Sequence, residues 1–194
     1  YPFSPENQGI HIQQIVNLAL ESDIPQYAGM NVSTGRKLKR LLAIIAKSVP
    51  FKPNISSIAA ALGVSRNSVA DYCLYIEEAG LIAQLRDDTG GIRGLGKVDK
   101  IYLDNTNLIY NLGGEGAEIG NVRETFFFNQ MRVGHDVINS SVSDFMIDGF
   151  TFEVGGRRKG KKQIEGVPNA FVVKDDIEFA SGNTIPLWHF GFDY

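Results

Sequence analysis

The chain has 194 residues, 43% of them hydrophobic, enough for one or two compact cores. A formal net charge of −3 excludes a surface that is basic all round, so any contact with nucleic acid must come from local patches. Cys73 is the single cysteine and excludes an intrachain disulfide framework; no apolar run reaches the length of a membrane span, so the chain reads as cytoplasmic, with no membrane partner.

The opening YPFSPENQGI lacks an initiator Met and is turn-like, as expected of a segment cut from a longer protein. Over residues 10–27, Ile12, Ile15, Leu18 and Ala19 recur at helical spacing until Pro25, which predicts one helix and a connector. Ser33 or Thr34 is the expected cap of a second helix, GRKLKRLLAIIAKS, stopping before Pro50. In the next segment Ile55, Ile58, Ala59 and Leu62 form one apolar stripe, and Gly63 permits a sharp turn. Ser65 then caps a helix with Val69, Tyr72 and Ile76 inward: a helix-turn-helix. LIAQLR and KVDKIYLD flank the glycine-rich DDTGGIRGLG as two strands around a tip, so helices and hairpin together predict a winged helix. Gly91 to Lys97 match the spacing of a phosphate-binding P-loop, but Val98 stands where the motif needs Ser or Thr, and a strand rather than a helix follows.

From about Asp99 the pattern turns to strands with a few helices. LDNTNLIYNL reads as a short capped helix and GNVRETFFFNQMR as another capped by Asn121. HDVINSSV, SDFMIDGFTFEV, NAFVVKDDIEF and IPLWHFGFDY read as strands or hairpins. Asp148-Gly149 is a two-residue hairpin signal. It pairs Ile147 with Phe150, Met146 with Thr151 and Phe145 with Phe152, and sets Asp144 opposite Glu153 on the face away from the phenylalanines.

Two like charges so placed need a cation, a proton or solvent between them. They read either as oxygen ligands for magnesium or as an acidic pair covered by Arg157 or Lys159. Glu124 reads either as the second half of a capping box with Asn121 or as a further carboxylate of the same cleft. Candidate nucleic-acid contacts are Ser65, Arg66, Asn67 and Ser68 on the recognition helix, Arg93 and Lys97 on the wing, and the basic run Arg157, Arg158, Lys159. Asp71, Glu77 and Glu78 make the rest of that helix acidic, which suits a protein partner instead of DNA. His11, His135 and His189 have no metal-ligand spacing.

The order helix-Glu124, strand-Asp144, strand-Glu153 resembles the PD-(D/E)XK nuclease-like fold. ESDIPQY, AGLIAQL, KIYLDNTNLIY, GNVRETFF, FEVGG with its basic tail and NTIPLWHFGF resemble the C-terminal module attached to a family of prokaryotic AAA-type ATPases. The resemblance implies an α+β or α/β chain with a connector helix over 1–31, a winged helix-turn-helix over 32–98, and a nuclease-like mixed sheet with flanking helices over 99–194. It implies DNA, the chain's own upstream ATPase domain or a protein as partner, ATP only through that upstream domain, and Glu124, Asp144 and Glu153 as the metal-side acids. The fold's water-activating lysine belongs two residues after the last acid, where this chain has Gly155. The first reading is therefore a regulatory module with a degenerate, inactive nuclease domain. A magnesium-dependent endonuclease rescued by Lys159 or Lys161, and a protein-interaction module without nucleic acid, are the alternatives.

Overall fold

The computed structural model describes residues 5–88, 97–113 and 117–192. It is a mixed helix-and-sheet chain whose residues group into two units, Tyr1–Ala83 with Ile101–Ala117, and Gln84–Lys100 with Glu118–Tyr194. Among the described residues no helix is long and apolar enough to cross a membrane.

The first unit is built on helices. α1 (Pro5–Leu18) runs through a wide π-turn, Ala19–Asp23, into α2 (Ile24–Tyr27). Here the expected face is corrected: Ile15 and Leu18 are exposed, while Val16, Leu20 and Ile24 are buried. Their uniform spacing of four suits the wider π winding, which a strict 3.6 period does not anticipate. Pro25 does not end the helix; it sits in the first turn of α2, where its missing N–H costs no bond. α3 (Val32–Ala46) is capped by Asn31, whose side chain accepts the Thr34 N–H at 3.2 Å, in place of the Ser33 or Thr34 cap expected. Leu38, Leu41 and Ile45 of α3 are fully buried, each contributing about 1.5–3 kcal/mol of apolar transfer.

α4 (Ile55–Leu62) and α5 (Arg66–Glu78) follow the sequence reading closely. Gly63 is left-handed at φ 63°, and Ser65 Oγ accepts the Ser68 N–H at 3.0 Å. Ile58, Ala59, Leu62, Val69, Tyr72 and Ile76 are buried. Cys73, buried beside them, has its thiol pushed up to about 12 by burial and then by the Glu77 charge, so it is an inert packing residue. β1 (Ile82–Arg86) and β2 (Val98–Leu103) form the hairpin, followed by α6 (Thr106–Leu112), capped by Asn105. Its tip, with Arg93 and the P-loop look-alike up to Gly96, lies outside the described residues.

In the second unit α7 (Ile119–Met131) precedes β3 (Val137–Asn139), β4 (Phe145–Ile147), β5 (Phe150–Gly155), β6 (Ala170–Lys174) and β7 (Thr184–Pro186). The sheet order is β2-β1-β3-β4-β5-β6-β7, with β3, β4 and β5 antiparallel and β5, β6 and β7 parallel. The β4–β5 register is the one the Asp-Gly turn dictates: Ile147↔Phe150, Met146↔Thr151, Phe145↔Phe152. Asp148 and Gly149 both have positive φ, 50° and 81°, as a primed hairpin turn requires. Phe127 and Phe128 of α7 pack on Phe145, and Phe127 also on Phe152, so the helix lies on the apolar face of this hairpin.

Two expectations fail in this unit. α7 starts three residues early, with Glu118 at the cap position and Asn121 already inside the helix. The last aromatic segment is strand only over Thr184–Pro186 and then winds as a 3₁₀ helix, Leu187–Phe192. The period of three turns Leu187 and Phe190 inward, Phe190 against Phe127 and Phe152, and leaves Trp188 exposed.

A candidate carboxylate and lysine active site

Glu153 lies in the middle of β5, aligned with Val172 of the parallel neighbour β6, and is fully buried. A buried carboxylate needs compensating partners. Ser143 Oγ is within hydrogen-bond reach of Glu153 Oε2 and of the Phe152 carbonyl, and its one proton serves one of them at a time. The Lys159 ammonium rests against Oε1 as an ion pair, although Oε1 gains no hydrogen bond of good angle from it.

Lys159 reaches this position because of Gly155. A Cβ at 155 would stand 2.7 to 2.8 Å from the Cβ, Cγ and Cδ of Lys159. The aliphatic stem thus lies where a side chain of residue 155 would start, and its charge arrives beside Glu153 from four residues further along. The turn is held by the Lys159 N–H donating to the Gly156 carbonyl at 2.8 Å. Gly155 has no positive φ, so the glycine is there for space. Gly156 repeats the device: a Cβ there would meet the Arg123 guanidinium at 3.0 to 3.3 Å. Arg123 itself donates to Asp175 at 2.9 Å and lies 3.6 Å from Asp176.

The third and fourth members come from the hairpin and the helix. The β4–β5 ladder stops at Phe145↔Phe152, and Asp144 does not take up the next paired position expected of it; its carboxylate accepts the Val154 N–H at 2.9 Å. Its carboxyl is raised above the usual range, by burial first and by the Glu153 charge, against the lowering pull of the Val154 N–H, Lys100 and Lys159. Glu124 projects from α7, and with Asn121 inside the helix the capping-box reading no longer applies. Lys100 of β2 stands between them, 3.9 Å from Glu124 and 4.0 Å from Asp144. Burial pulls the Lys159 ammonium down, but the Glu153 hydrogen-bonding contact and the charges of Glu153, Asp144 and Glu124 outweigh it and carry the group above its ordinary value. Lys159 is therefore a fixed cation at neutral pH and no proton acceptor.

Carboxylates and a hydroxyl suit a hard cation such as magnesium. Asp144 and Glu153 are the pair placed to offer oxygens, and the Asp144 carboxyl is raised by burial first and by the Glu153 charge. Among the described residues no three His, Cys, Asp or Glu side chains stand as a ready ligand group; Lys100 and Lys159 hold the acids instead.

The basic run is anchored at its end. Lys162–Ile164 form a 3₁₀ turn that buries Ile164 against Ala170 and Val172. Arg157, Arg158, Lys161 and Lys162 are exposed around it, and the Lys174 ammonium reaches the Arg157 carbonyl at 3.5 Å. Of the remaining candidate contacts, Ser65 and Ser68 spend their hydroxyls on each other at 2.8 Å, while Arg66 and Asn67 are exposed. Lys97 is exposed in the second unit, its backbone paired with Asp87. Lys100, Arg123 and Ser143 were missed by sequence reasoning. Arg123 alone had a signal, Gly156, which marks a close approach without naming what approaches.

The family model described as "Domain of unknown function (DUF8612)" matches residues 3–118, and the chain belongs to that family. No curated protein matches the chain. No solved structure matches it either. The family match ends before Glu124 and takes in only Lys100 of the cluster, so Glu124, Asp144, Glu153 and Lys159 stand on their own geometry.

Proposed function

We propose that the second unit is a divalent-metal-dependent phosphodiesterase of the PD-(D/E)XK type, in which the lysine has moved from position 155 to Lys159. The observation that carries this reading is the stem of Lys159 filling the space above Gly155, with its ammonium on the buried Glu153. Among the sequence readings this favours the magnesium-dependent nuclease over the degenerate domain, because the charge thought absent at 155 is supplied from the turn. In this reading α3, α4 and α5 with the β1–β2 hairpin act as a winged helix, and the chain is the C-terminal recognition module of an AAA-type ATP-binding protein.

Asp144 and Glu153, with Glu124 behind Lys100, would hold the cation, whose chemistry when bound is to neutralise phosphate charge and acidify water. The chain's own part is positioning. Lys159, protonated and held on two sides by Glu153 and the Gly156 turn, orients a nucleophile or a phosphate oxygen by donating to it. Exposed Arg157, Arg158, Lys161 and Lys162 meet backbone phosphates in a sequence-independent way. Pre-positioning on a strand and an anchored turn is what a poised site needs.

The test is cleavage of single- and double-stranded DNA and RNA in magnesium or manganese, with calorimetry of the metal alone. Expected is cleavage by the wild type, reduced about 100-fold or more by Lys159→Met, on the scale of losing one transition-state donor, with metal binding lost in Asp144→Asn/Glu153→Gln. A chain that binds neither metal and cleaves none of the four substrates overturns the reading.

A further inference from the structure

In the first unit an open groove of about 490 Å³ is lined by Asp23, Ile24, Tyr27, Tyr75, Glu78 and Ala79. We infer that this groove is a docking site for an arginine- or lysine-bearing segment of a protein partner. Its floor is apolar, with Ile24 buried beside Ala79. Tyr27 is 82% exposed, at the end of α2, far more than a ring of its size needs to be if it serves packing only. Asp23 and Glu78 are both exposed, and among the described residues no lysine or arginine lines the groove.

This is the chemistry of a cation receptor. The aliphatic stem of Arg or Lys packs on Ile24 and Ala79, the charged head lies against tyrosine faces, and the carboxylates complete its hydrogen bonds. An acidic residue finds repulsion there, and an apolar one leaves the carboxylates without a donor. The solvent face of α5 extends the surface. Asp71, Leu74 and Glu78 recur at helical spacing on one side, Leu74 45% exposed, giving an acid, apolar, acid stripe. A basic amphipathic segment matches that stripe in both charge and spacing. Phosphate meets like charge along it, so the groove assigns this part of the helix to protein and not to DNA. The inference is independent of whether the second unit hydrolyses phosphodiesters.

The probe is a tetra-arginine peptide titrated into the isotope-labelled chain, with a tetra-citrulline peptide of the same length as the neutral control. Saturable resonance shifts are expected at Ile24, Tyr27, Tyr75 and Ala79 with the arginine peptide and none there with citrulline. Tyr27→Ala and Glu78→Gln should each weaken the binding at least fivefold with the melting temperature unchanged, since both side chains are exposed. Shifts confined to residues outside the groove, or affinity unaffected by both substitutions, overturn the proposal. So does a duplex oligonucleotide that shifts the same four residues at the same salt concentration, which would give the surface to nucleic acid.

Discussion

In the second unit Glu153 is fully buried and its charge is met by Lys159 and Ser143, whereas in the first unit Asp23 and Glu78 stand in water beside an exposed Tyr27. Both arrangements present carboxylates, under different dielectric conditions. A charge taken out of water fixes its neighbours, because leaving it uncompensated costs several kcal/mol, roughly 3–5 for a buried pair stripped of one partner. A charge at the surface constrains nothing nearby and is available to a partner. Substitutions should therefore act on stability in the second unit and on binding in the first.

The largest expected effect is Lys159→Met, which leaves the Glu153 carboxylate buried with the Ser143 hydroxyl beside it. Because the Lys159 side chain is 35% exposed, the loss should be about 2–3 kcal/mol, below the ~3–5 kcal/mol of a fully buried pair. Lys159→Met/Glu153→Gln should recover much of it, and urea unfolding of the two variants measures the difference. Equal stability of both would mean that Glu153 is not held as an ion.

Next is Gly155→Ala. The new methyl meets the Lys159 stem at 2.7 to 2.8 Å, so either the stem moves off Glu153 or β5 shifts. Overpacking of this kind costs about 1–3 kcal/mol. Gly155→Lys, which would restore the motif on paper, should be at least as disruptive, since two side chains cannot share one space. An Ala variant as stable as the wild type would show that the turn bearing Lys159 is free to move.

These substitutions also locate what was legible in the sequence. Signals that act over a few residues were readable: Gly63 for the left-handed turn, Ser65 for the cap of α5, Asp148-Gly149 for the register of the hairpin. They fix local dihedrals whatever surrounds them. The sequence also brought Glu124, Asp144 and Glu153 together as candidates. What it could not give was the far side of each contact. Lys100 comes from β2, Arg123 from α7 and Ser143 from the bend before β4, and each meets the site only through tertiary packing. Gly155 was the instructive case. Read along the chain it is a missing lysine, but read in space it is the clearance that admits one. The first helix misled for a related reason, since its buried stripe, Val16, Leu20 and Ile24, is chosen by what packs on it.

A smaller effect is expected from Asp144→Asn, and its sign depends on pH. The Asp144 carboxyl is raised in the fold by burial and by Glu153, so the folded state holds its proton more tightly than the unfolded chain. That contribution to stability is fully present below the unfolded value and is lost as pH rises through the folded value. Asparagine does not titrate, and its carbonyl can still accept the Val154 N–H. The variant should match the wild type in acid and become the more stable of the two as pH climbs through the carboxylate range to neutrality. Millimolar magnesium should narrow the gap by stabilising the wild type alone, and melting curves at three pH values with and without the ion measure both trends.

The smallest effect sharpens the other side of the comparison. Leu74 is 45% exposed on α5, between Asp71 and Glu78 on the stripe that leads to the tyrosine groove. Leu74→Gln keeps a good helix former of similar length, so the helix propensity is nearly unchanged. With close to half of the side chain already in water, the change in stability should stay within about 0.5 kcal/mol, the usual range for surface substitutions. Its effect on arginine-peptide binding should be the larger one, because an apolar contact buried on association is lost while the flanking carboxylates remain. A stability loss well above that range, with peptide binding untouched, would mean that Leu74 serves the core of the first unit and that the stripe on α5 is no docking surface.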